Sequence, residues 1–265
     1  HHVVLHGEVD GTFPAHHPDP TVPENLIELI EKVRCLDYDL GVAFDGDGDR
    51  IGAVDGQGRI VWGDQLLAIF ASELLPRWPG AEIIADVKAS QALFSEVARL
   101  GGTPVMAPPG HSVIKSMMAE SGAPLAGEMS GHIFFADGYY GYDDAVYAAV
   151  RLLDIVAKSE LSLAELVSAL PQMINTPEIR IEVPEERKFE IVKEVMQNAS
   201  GDGLEINDVD GLRVNGADGW WLLRASNTEN ALVVRCESSD EAGLERLKAV
   251  VSGYLTKVGV QNSNL

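Results

Sequence analysis

In residues 40–50, LGVAFDGDGDR, an apolar run ends at three aspartates separated by single glycines, and the rest of the chain is organised around this segment. The run is typical of a buried strand, and residues two apart in an extended segment project to the same side. Asp45, Asp47 and Asp49 are therefore expected to converge. Converging carboxylates repel one another unless a cation lies between them, and oxygen ligands suit Mg²⁺. The stretch predicts a Mg²⁺ site, with Arg50 placed to meet an anion beside the metal.

Three other interpretations of this loop have to be weighed. A solvated turn is the usual outcome for one Asp-Gly pair, but three aspartates in succession behind an apolar strand are less often only that. An EF-hand loop needs Gly at its sixth position and Glu at its twelfth, which here hold Arg50 and Gly56. A haloacid-dehalogenase-type phosphatase also carries Asp-x-Asp after a buried strand, although Thr or Val usually stands where Asp49 is. That hypothesis stays open, with Asp45 as the nucleophile.

Composition limits the partners of the protein. The chain has 265 residues, 20 Lys and Arg against 41 Asp and Glu, and a formal net charge of −21. So acidic a surface disfavours nucleic acid and anionic membranes, and an anionic substrate needs a locally basic site. No apolar run reaches membrane-spanning length, and no signal-peptide pattern stands at the start. We therefore expect a cytoplasmic protein that binds neither nucleic acid nor a membrane.

Two smaller features of the sequence lead to expectations of their own. Cys35 and Cys236 are predicted to be reduced core residues rather than a disulfide, because they lie far apart in apolar segments. The chain begins with His1, and residues 3–5 resemble a strand entered halfway. We therefore expect that N-terminal sequence is missing.

The order of the predicted elements indicates the fold class. Strand-like and helical apolar patterns alternate as far as residue 158, which implies right-handed crossovers and a mostly parallel sheet. After Thr176-Pro177 one helix, several adjacent strands and another helix follow, the pattern of an α+β domain. The predicted fold class is α/β, with mixed, mostly parallel sheets flanked by helices, then a C-terminal α+β domain with an antiparallel sheet. The predicted domains are residues 1–59, 60–171 and 172–265.

Four local sequence patterns predict particular helix caps, one helix and one strand. Asp64 is expected to cap one helix, and another helix is expected over residues 143–158. Ser162 and Glu165 form the sequence of a capping box, and a strand is expected over residues 204–206.

Polar side chains follow four of the predicted strands, where ligands bind in parallel sheets. They are Asp45, Lys88, His111 and Glu128. Lys88 could bind a phosphate or move a proton, although a lone lysine in a turn is more often only solvated. His111 opens a helix, whose N-terminus disfavours imidazolium, so it could serve as a neutral base. A simple polar cap is the more common role for such a histidine.

Two further loops carry groups suited to a sugar phosphate. Residues 127–132, GEMSGH, place Glu128, Ser130 and His132 two residues apart between glycines, which suits recognition of neighbouring sugar hydroxyls. A polar turn that binds nothing is the alternative, and the two framing glycines argue against it. Residues 224–230, RASNTEN, lie between two strands and supply an arginine fork, hydroxyls and an amide for a phosphate dianion. An ordinary hairpin loop also contains Ser, Asn and Thr.

Together these loops resemble those of the α-D-phosphohexomutases, specifically the bacterial phosphomannomutase/phosphoglucomutase branch. The matching motifs are residues 45–50, DGDGDR; residues 127–132, GEMSGH; and residues 224–228, RASNT. The resemblance covers nearly the whole chain, and Glu-Met-Ser separates this branch from the phosphoglucosamine mutases, where Glu-Gln-Ser is usual. It implies that residues 1–59 are the latter part of domain 2, 60–171 domain 3 and 172–265 domain 4 of a four-domain fold.

The resemblance also implies a role for each matching residue. Mg²⁺ would be held by Asp45, Asp47 and Asp49, together with a phosphoserine oxygen. Arg50 would reach the transferring phosphate or the sugar. Lys88 and His111 would be the candidates for proton transfer to and from the attacking hydroxyl, with His132 as a secondary helper. The sugar hydroxyls would be held by Glu128 and Ser130, and the phosphate that is not reacting by Arg224, Ser226, Asn227 and Thr228.

The implied reaction moves phosphate between positions 1 and 6 of a hexose through a bisphosphorylated sugar such as glucose 1,6-bisphosphate. The implied partners are glucose 1-phosphate, glucose 6-phosphate and mannose phosphates. The family's Thr-x-Ser-His-Asn-Pro motif, which carries the phosphoserine, does not occur in this sequence. We therefore expect little or no turnover from these 265 residues alone, with the missing N-terminal segment as a partner. A non-catalytic sugar-phosphate binding protein is the alternative.

Overall fold

The computed structural model describes residues 1–8, 10–261 and 265. It contains two compact units, which are described separately below. The first comprises His1–Ala89, Leu93–Val105 and Gly110–Pro171, and the second comprises Ser90–Ala92, Met106–Pro109 and Gln172–Leu265.

The helices before residue 172 follow a short 3₁₀ helix, Pro23–Leu26. They are α1 (Ile27–Cys35), α2 (Gly63–Leu74), α3 (Gln91–Arg99), α4 (His111–Ser121), α5 (Ala145–Lys158) and α6 (Leu163–Ser168). The strands in the same part of the chain are β1 (Leu40–Phe44), β2 (Ile51–Asp55), β3 (Ile60–Val61), β4 (Glu82–Asp86), β5 (Thr103–Ala107), β6 (Leu125–Gly127) and β7 (Ile133–Phe135).

These strands form two sheets. The order β1-β2-β3 makes a three-stranded sheet in which both pairings are antiparallel. The order β5-β4-β6-β7 makes a four-stranded sheet, where β4 and β6 are parallel and β6 and β7 are antiparallel. Because β1 pairs with β2 through the Phe44–Ile51 register, the aspartate loop is the hairpin connection between them.

The second unit is organised around one antiparallel sheet. Its strands are β8 (Ile174–Asn175), β9 (Ile179–Glu182), β10 (Ile206–Asn207), β11 (Leu212–Gly216), β12 (Gly219–Ala225) and β13 (Ala231–Ser238). The order is β10-β11-β12-β13-β8, and β9 also pairs with β13. Two helices, α7 (Lys188–Gly201) and α8 (Glu241–Lys257), supply Val195 and Val251 to a core that includes Trp221 and Val234. Burial of such side chains contributes about 1.5–3 kcal/mol each.

The predicted fold class, α/β with mixed sheets followed by an α+β part with an antiparallel sheet, is confirmed. The capping box is also present, since Glu165 N donates to Ser162 Oγ and Ser162 N donates to Glu165 Oε2. The division into domains at residues 59 and 171 stays a prediction.

Several local expectations were wrong. Residues 3–5 form no strand. The strand that was predicted over residues 204–206 is β10, which begins at Ile206 and ends at Asn207. Cys35 is exposed because it ends α1 on the solvent side, whereas Cys236 is buried; both are free thiols.

Two predicted helix starts are shifted. Asp64 does not cap α2, which begins at Gly63, because Gln65 instead accepts the N–H of Trp62 at 3.0 Å. The helix predicted from residue 143 begins at Ala145, because Asp144 is its cap and accepts from the N–H of Tyr147 at 2.8 Å. Within the described ranges, no helix is both long and apolar enough to span a membrane.

Candidate functional site

The aspartate loop is built around the side chain of Asp45. Its Oδ1 accepts the backbone N–H groups of Gly48, Asp49 and Arg50 at 3.0, 3.1 and 3.1 Å, and its Oδ2 accepts from Arg50 Nε at 2.7 Å. Burial opposes ionisation of this carboxyl, but the hydrogen bonds from Arg50 and the loop outweigh burial and lower its pKa. The Asp45 carboxylate therefore holds the backbone of the loop in its folded conformation.

The three aspartates of the loop converge as predicted. Each of Asp45, Asp47 and Asp49 offers one oxygen, and these oxygens lie within 4.8 Å of one another. Burial and the nearby carboxylates of Asp45, Asp47 and Asp143 raise the pKa of Asp49 to about 6. This oxygen-only donor set fits Mg²⁺, because a divalent cation would relieve that repulsion.

Arg50 is held by a second carboxylate that the sequence did not single out. Its Nη1 donates to Asp19 Oδ1 at 3.2 Å while its Nε donates to Asp45. Asp19 lies in the proline-rich segment before α1, 31 residues from Arg50, so no local motif links the two residues. An anion would therefore bind the N–H groups of Arg50 that do not donate to Asp45 or Asp19.

The loop over residues 127–132 docks directly on the aspartate loop. Ile51 N donates to Gly131 O at 3.0 Å, and Arg50 forms an isolated antiparallel bridge with His132. Gly131 has a φ of +99°, and a Cβ there would stand 2.4 Å from Ile51 O. Only glycine fits this contact without strain, so the glycine holds two functional loops together.

Glu128 and Ser130 occupy different environments in this loop. Glu128 is 5 % exposed, and its Oε1 accepts the N–H of Gly110 at 2.7 Å. Burial and the charge of Asp86 raise the pKa of Glu128, against the opposing charges of His132 and Lys88. Ser130 is half-buried in the turn that follows. The buried carboxyl of Glu128 is therefore fixed in place, whereas Ser130 is partly exposed to solvent.

His132 lies among groups from three segments. Its ring stacks on the His111 ring with centroids 5.7 Å apart, and its Nδ1 is 3.0 Å from Asp143 Oδ2 and 3.6 Å from Asp49 Oδ2. Burial lowers the pKa of His132, despite the charges of Glu128 and Asp143. The imidazole is therefore neutral near pH 7.

Asp143 is the principal residue of this cluster that the sequence reading missed. Its Oδ1 accepts from Lys115 Nζ at 3.0 Å, and its Oδ2 also lies 3.4 Å from His111 Nδ1. The sequence does contain a hint of a second role for Asp143, because two aspartates precede α5 and a helix needs only one residue as its N-cap. Asp144 is the cap, so Asp143 is available for another role.

The two remaining predicted proton carriers differ in exposure. His111 begins α4 and is more than half exposed, with Lys115 Nζ 3.4 Å from its Nδ1. Lys88 is largely buried just after β4, and its Nζ lies 3.9 Å from Asp86 Oδ2. His111 therefore lies beside His132 and Asp143. Lys88 lies near Asp86, the last residue of β4.

The predicted phosphate loop lies in the second unit, between β12 and β13. Arg224 is buried, and its Nε donates to Asp210 Oδ2 at 2.5 Å. Ser226 Oγ accepts the N–H groups of Thr228 and Glu229 at 3.4 and 3.2 Å, which turns the chain. Asn227 and Thr228 are exposed. The four predicted phosphate ligands therefore share one short loop.

Two charged residues outside the motif support this loop. Asp210 holds Arg224, and Lys188, which is 3 % exposed, donates from Nζ to Glu229 O at 3.1 Å. Neither is visible from the motif, because they come from the β10–β11 connection and the start of α7. An acidic residue near a buried arginine is nevertheless an expected requirement.

Family models match consecutive parts of the chain. The descriptions are phosphoglucomutase/phosphomannomutase, alpha/beta/alpha domain II for residues 1–58, alpha/beta/alpha domain III for residues 62–174, and the C-terminal domain for residues 178–253. The matched segments follow one another in the order of the family's domains.

The individual relatives are also phosphoglucomutases or phosphomannomutases by name. A phosphomannomutase/phosphoglucomutase of Pseudomonas aeruginosa is 48% identical over 256 residues, which cover 97% of this chain and 55% of that protein. A phosphoglucomutase of Neisseria gonorrhoeae is 46% identical over 243 residues, 91% of this chain and 53% of that protein. The crystal structure of a phosphoglucomutase/phosphomannomutase family protein from Burkholderia thailandensis has a TM-score of 0.91 and 43% identity, covering 98% of this chain and 56% of that one. The chain thus spans about half the length of these relatives.

Proposed function

Because the chain belongs to the α-D-phosphohexomutase family, we propose that it is the metal- and sugar-binding part of a phosphoglucomutase/phosphomannomutase. The proposed reaction is the reversible transfer of phosphate between positions 1 and 6 of a hexose. One observation carries the proposal: the docking of the Glu128 loop on the aspartate loop, through Gly131 and Ile51, in one compact unit.

The metal chemistry follows from the donor set. Asp45, Asp47 and Asp49 would hold Mg²⁺, since their oxygens converge and burial, together with the neighbouring carboxylates, raises the pKa of Asp49. When bound, Mg²⁺ would neutralise charge on a transferring phosphoryl group. Arg50, oriented by Asp45 and Asp19, would contact the same phosphate through its remaining N–H groups.

Sugar binding and proton transfer are assigned to the neighbouring groups. Glu128 and Ser130 would hold two adjacent hydroxyls of the hexose. His132 would take the proton from the attacking hydroxyl at physiological pH, since burial keeps the pKa of its imidazole low. His111 and Lys88 are the other candidates for proton transfer, and His111 is the more accessible to solvent.

The second phosphate of the sugar is assigned to residues 224–228. Arg224 would bind it through the N–H groups that Asp210 does not use, beside the hydroxyls and amide of Ser226, Asn227 and Thr228. A loop that accepts either end of the sugar would also accept glucose 1,6-bisphosphate, the proposed intermediate. In the family that the chain resembles, the loop over residues 127–132 serves both sugars, so the proposal covers glucose and mannose phosphates.

The phosphoryl donor is proposed to come from outside these 265 residues. Each serine of the three motifs already has another assignment, and the Thr-x-Ser-His-Asn-Pro sequence is absent. A phosphoserine segment of the same protein would supply both the phosphate and a further metal ligand. The proposal includes a cytoplasmic location, which the two free thiols support.

The test is calorimetric titration of the chain with glucose 1-phosphate in the presence of Mg²⁺. We expect weak binding that falls at least about tenfold in Glu128→Gln and in Arg224→Ala, the cost of losing one charged hydrogen-bonding group. Glu245→Gln and Arg246→Ala are matched controls, because both side chains lie in exposed surface ion pairs. Equal binding of glucose 1-phosphate by all four variants would contradict the assignment of the loops.

Phosphorus NMR of the same mixture tests the reaction class. We expect neither isomerisation nor phosphate release from the chain by itself. Steady release of inorganic phosphate, with a beryllofluoride adduct on Asp45, would instead support the dehalogenase-type phosphatase. The four hydrogen bonds to the Asp45 carboxylate favour the first result, because they stabilise its charge and make it a poor nucleophile.

A further inference from the structure

A second group of ligand atoms lies beside the aspartate loop. Asp49, His132 and Asp143 each offer one atom, and these atoms lie within 4.8 Å of one another. They come from the β1–β2 hairpin, the residue before β7 and the residue before the cap of α5. The group differs from the aspartate loop in containing an imidazole nitrogen, and it shares Asp49 with that loop.

The close pair in this group is not a hydrogen bond. His132 Nδ1 and Asp143 Oδ2 are 3.0 Å apart and buried, yet within the described part of the chain neither atom makes an aligned hydrogen bond. The Asp143 side chain is only 5 % exposed. Buried polar atoms are almost always satisfied, so two such atoms side by side indicate a third partner that both could contact.

The arrangement of the atoms fits one metal ion. Zn²⁺ binds imidazole nitrogen and carboxylate oxygen at about 2.0–2.2 Å, which places tetrahedral ligands about 3.4 Å apart. The separations from His132 Nδ1 are 3.0 Å to Asp143 Oδ2 and 3.6 Å to Asp49 Oδ2, one on each side of that value. Lys115 occupies the other oxygen of Asp143, which leaves Oδ2 available.

The local charge also favours a cation. The carboxylates of Asp45, Asp47, Asp49 and Asp143 lie around this point, and the nearby cations are Arg50 and Lys115. Acidic groups therefore outnumber basic ones before any metal binds. The mixed nitrogen and oxygen donors suit borderline ions such as Zn²⁺ or Co²⁺ better than Mg²⁺, which prefers oxygen alone.

We propose that Asp49, His132 and Asp143 form a second metal site that binds a borderline divalent ion, with Zn²⁺ as the best fit. The ion takes Asp49 away from the aspartate loop and occupies Nδ1 of His132. Zn²⁺ at this site therefore weakens Mg²⁺ binding in the aspartate loop. The site depends on ligand chemistry and does not require the proposed mutase reaction.

The test is titration of the metal-free chain with Co²⁺ in excess Mg²⁺, since Co²⁺ absorbs visible light and Mg²⁺ does not. We expect a visible band that Zn²⁺ abolishes, and at least a tenfold loss of Co²⁺ affinity in His132→Gln and in Asp143→Asn. The matched controls are His16→Gln and Asp154→Asn, which change exposed side chains. Unchanged affinity in Asp143→Asn and His132→Gln would overturn the proposal.

Two further measurements locate the ion. Asp47→Asn removes a ligand of the aspartate loop only, so it should weaken Mg²⁺ binding and keep the Co²⁺ band; loss of the band would overturn the proposal. Nitrogen-15 NMR of the unmodified chain should show a Zn²⁺-dependent shift at Nδ1 of His132, separate from the shifts of the N-terminal histidines. A His132 resonance that does not move at saturating Zn²⁺ would also overturn the proposal, whatever the folding of the variants.

Discussion

The aspartate loop, residues 45–50, and the predicted phosphate loop, residues 224–230, have opposite charge arrangements. In the first, Asp49 lies among carboxylates, and its pKa rises to about 6. In the second, the buried Arg224 is paired with Asp210, and Ser226 Oγ holds the backbone turn. A cation would relieve the repulsion in the aspartate loop, whereas Arg224 and Ser226 in the phosphate loop are already paired with groups of the protein.

This difference implies that substitutions act differently in the two loops. Within the aspartate loop, removing a charge can either destroy the fold of the loop or relieve its repulsion, depending on which aspartate is changed. Within the phosphate loop, removing a supporting group should mainly reduce ligand binding. Four substitutions test this contrast, in order of decreasing expected effect.

The largest effect is expected from Asp45→Ala. The substitution removes the acceptor of three backbone N–H groups and of Arg50 Nε, at a side chain that is 3 % exposed. We expect a loss of about 2–4 kcal/mol in the free energy of unfolding, measured by urea denaturation. Asp47→Ala, at an exposed position of the same loop, is the control and should change it by less than about 0.5 kcal/mol. Equal losses in both variants would show that Asp45 has no special role in folding the loop.

The opposite sign is expected from Asp49→Asn in metal-free protein. The pKa of Asp49 rises from 3.8 to about 6, so the folded state binds its proton more tightly and loses stability as pH rises through that range. The rise corresponds to at most about 3 kcal/mol, which partial exposure reduces to about 1–2 kcal/mol. Asp49→Asn should therefore raise the thermal midpoint at pH 7 and have no effect near pH 3.5. Saturating Mg²⁺ should reverse the order, and a lower midpoint without metal would contradict this account.

The contrast between the loops also explains how far the sequence could predict the site. Alternate aspartates behind an apolar strand predicted the convergence of Asp45, Asp47 and Asp49, because both the strand period and the ligand type are local properties. The pairing of Arg50 with Asp19 could not be predicted in this way, since 31 residues separate them. The motifs thus indicated the candidate ligand-binding groups, whereas tertiary packing decided which residues support them.

The fold shows the same limit. The alternation of strands and helices predicted the α/β class, but the short strands β3, β7 and β8 were missed, because two or three residues carry no visible period. The start of α5 was placed two residues early, since either of two aspartates could cap it. That local ambiguity concealed Asp143, whose contacts with His132 and Lys115 come from residues distant in sequence.

In the phosphate loop, the larger effect is expected from Asp210→Asn. An amide keeps the shape of the side chain but loses the charge that orients Arg224, so the guanidinium can turn away from a bound phosphate. We expect glucose 1-phosphate affinity to fall about tenfold, or about 1.4 kcal/mol, with little change in stability. Asp218→Asn, in the exposed ion pair with Arg246, is the matched control and should leave the affinity unchanged. An unaltered affinity in Asp210→Asn would show that Arg224 needs no partner.

The smallest effect is expected from Ser226→Ala, which distinguishes a loop held by its own hydrogen bonds from one held by its neighbours. The Oγ contacts to the N–H groups of Thr228 and Glu229 are long, at 3.4 and 3.2 Å, and Lys188 independently holds the carbonyl of Glu229. We expect a loss of only about 0.5–1 kcal/mol in the free energy of unfolding, because the freed N–H groups lie at an exposed turn and can bind water. Hydrogen exchange at Thr228 and Glu229 should accelerate in Ser226→Ala and stay unchanged in Ser252→Ala, a control at a position on α8 far along the chain. If the loss instead matched that of Asp45→Ala, the phosphate loop would depend on one side chain as heavily as the aspartate loop does, and the contrast between the two loops would fail.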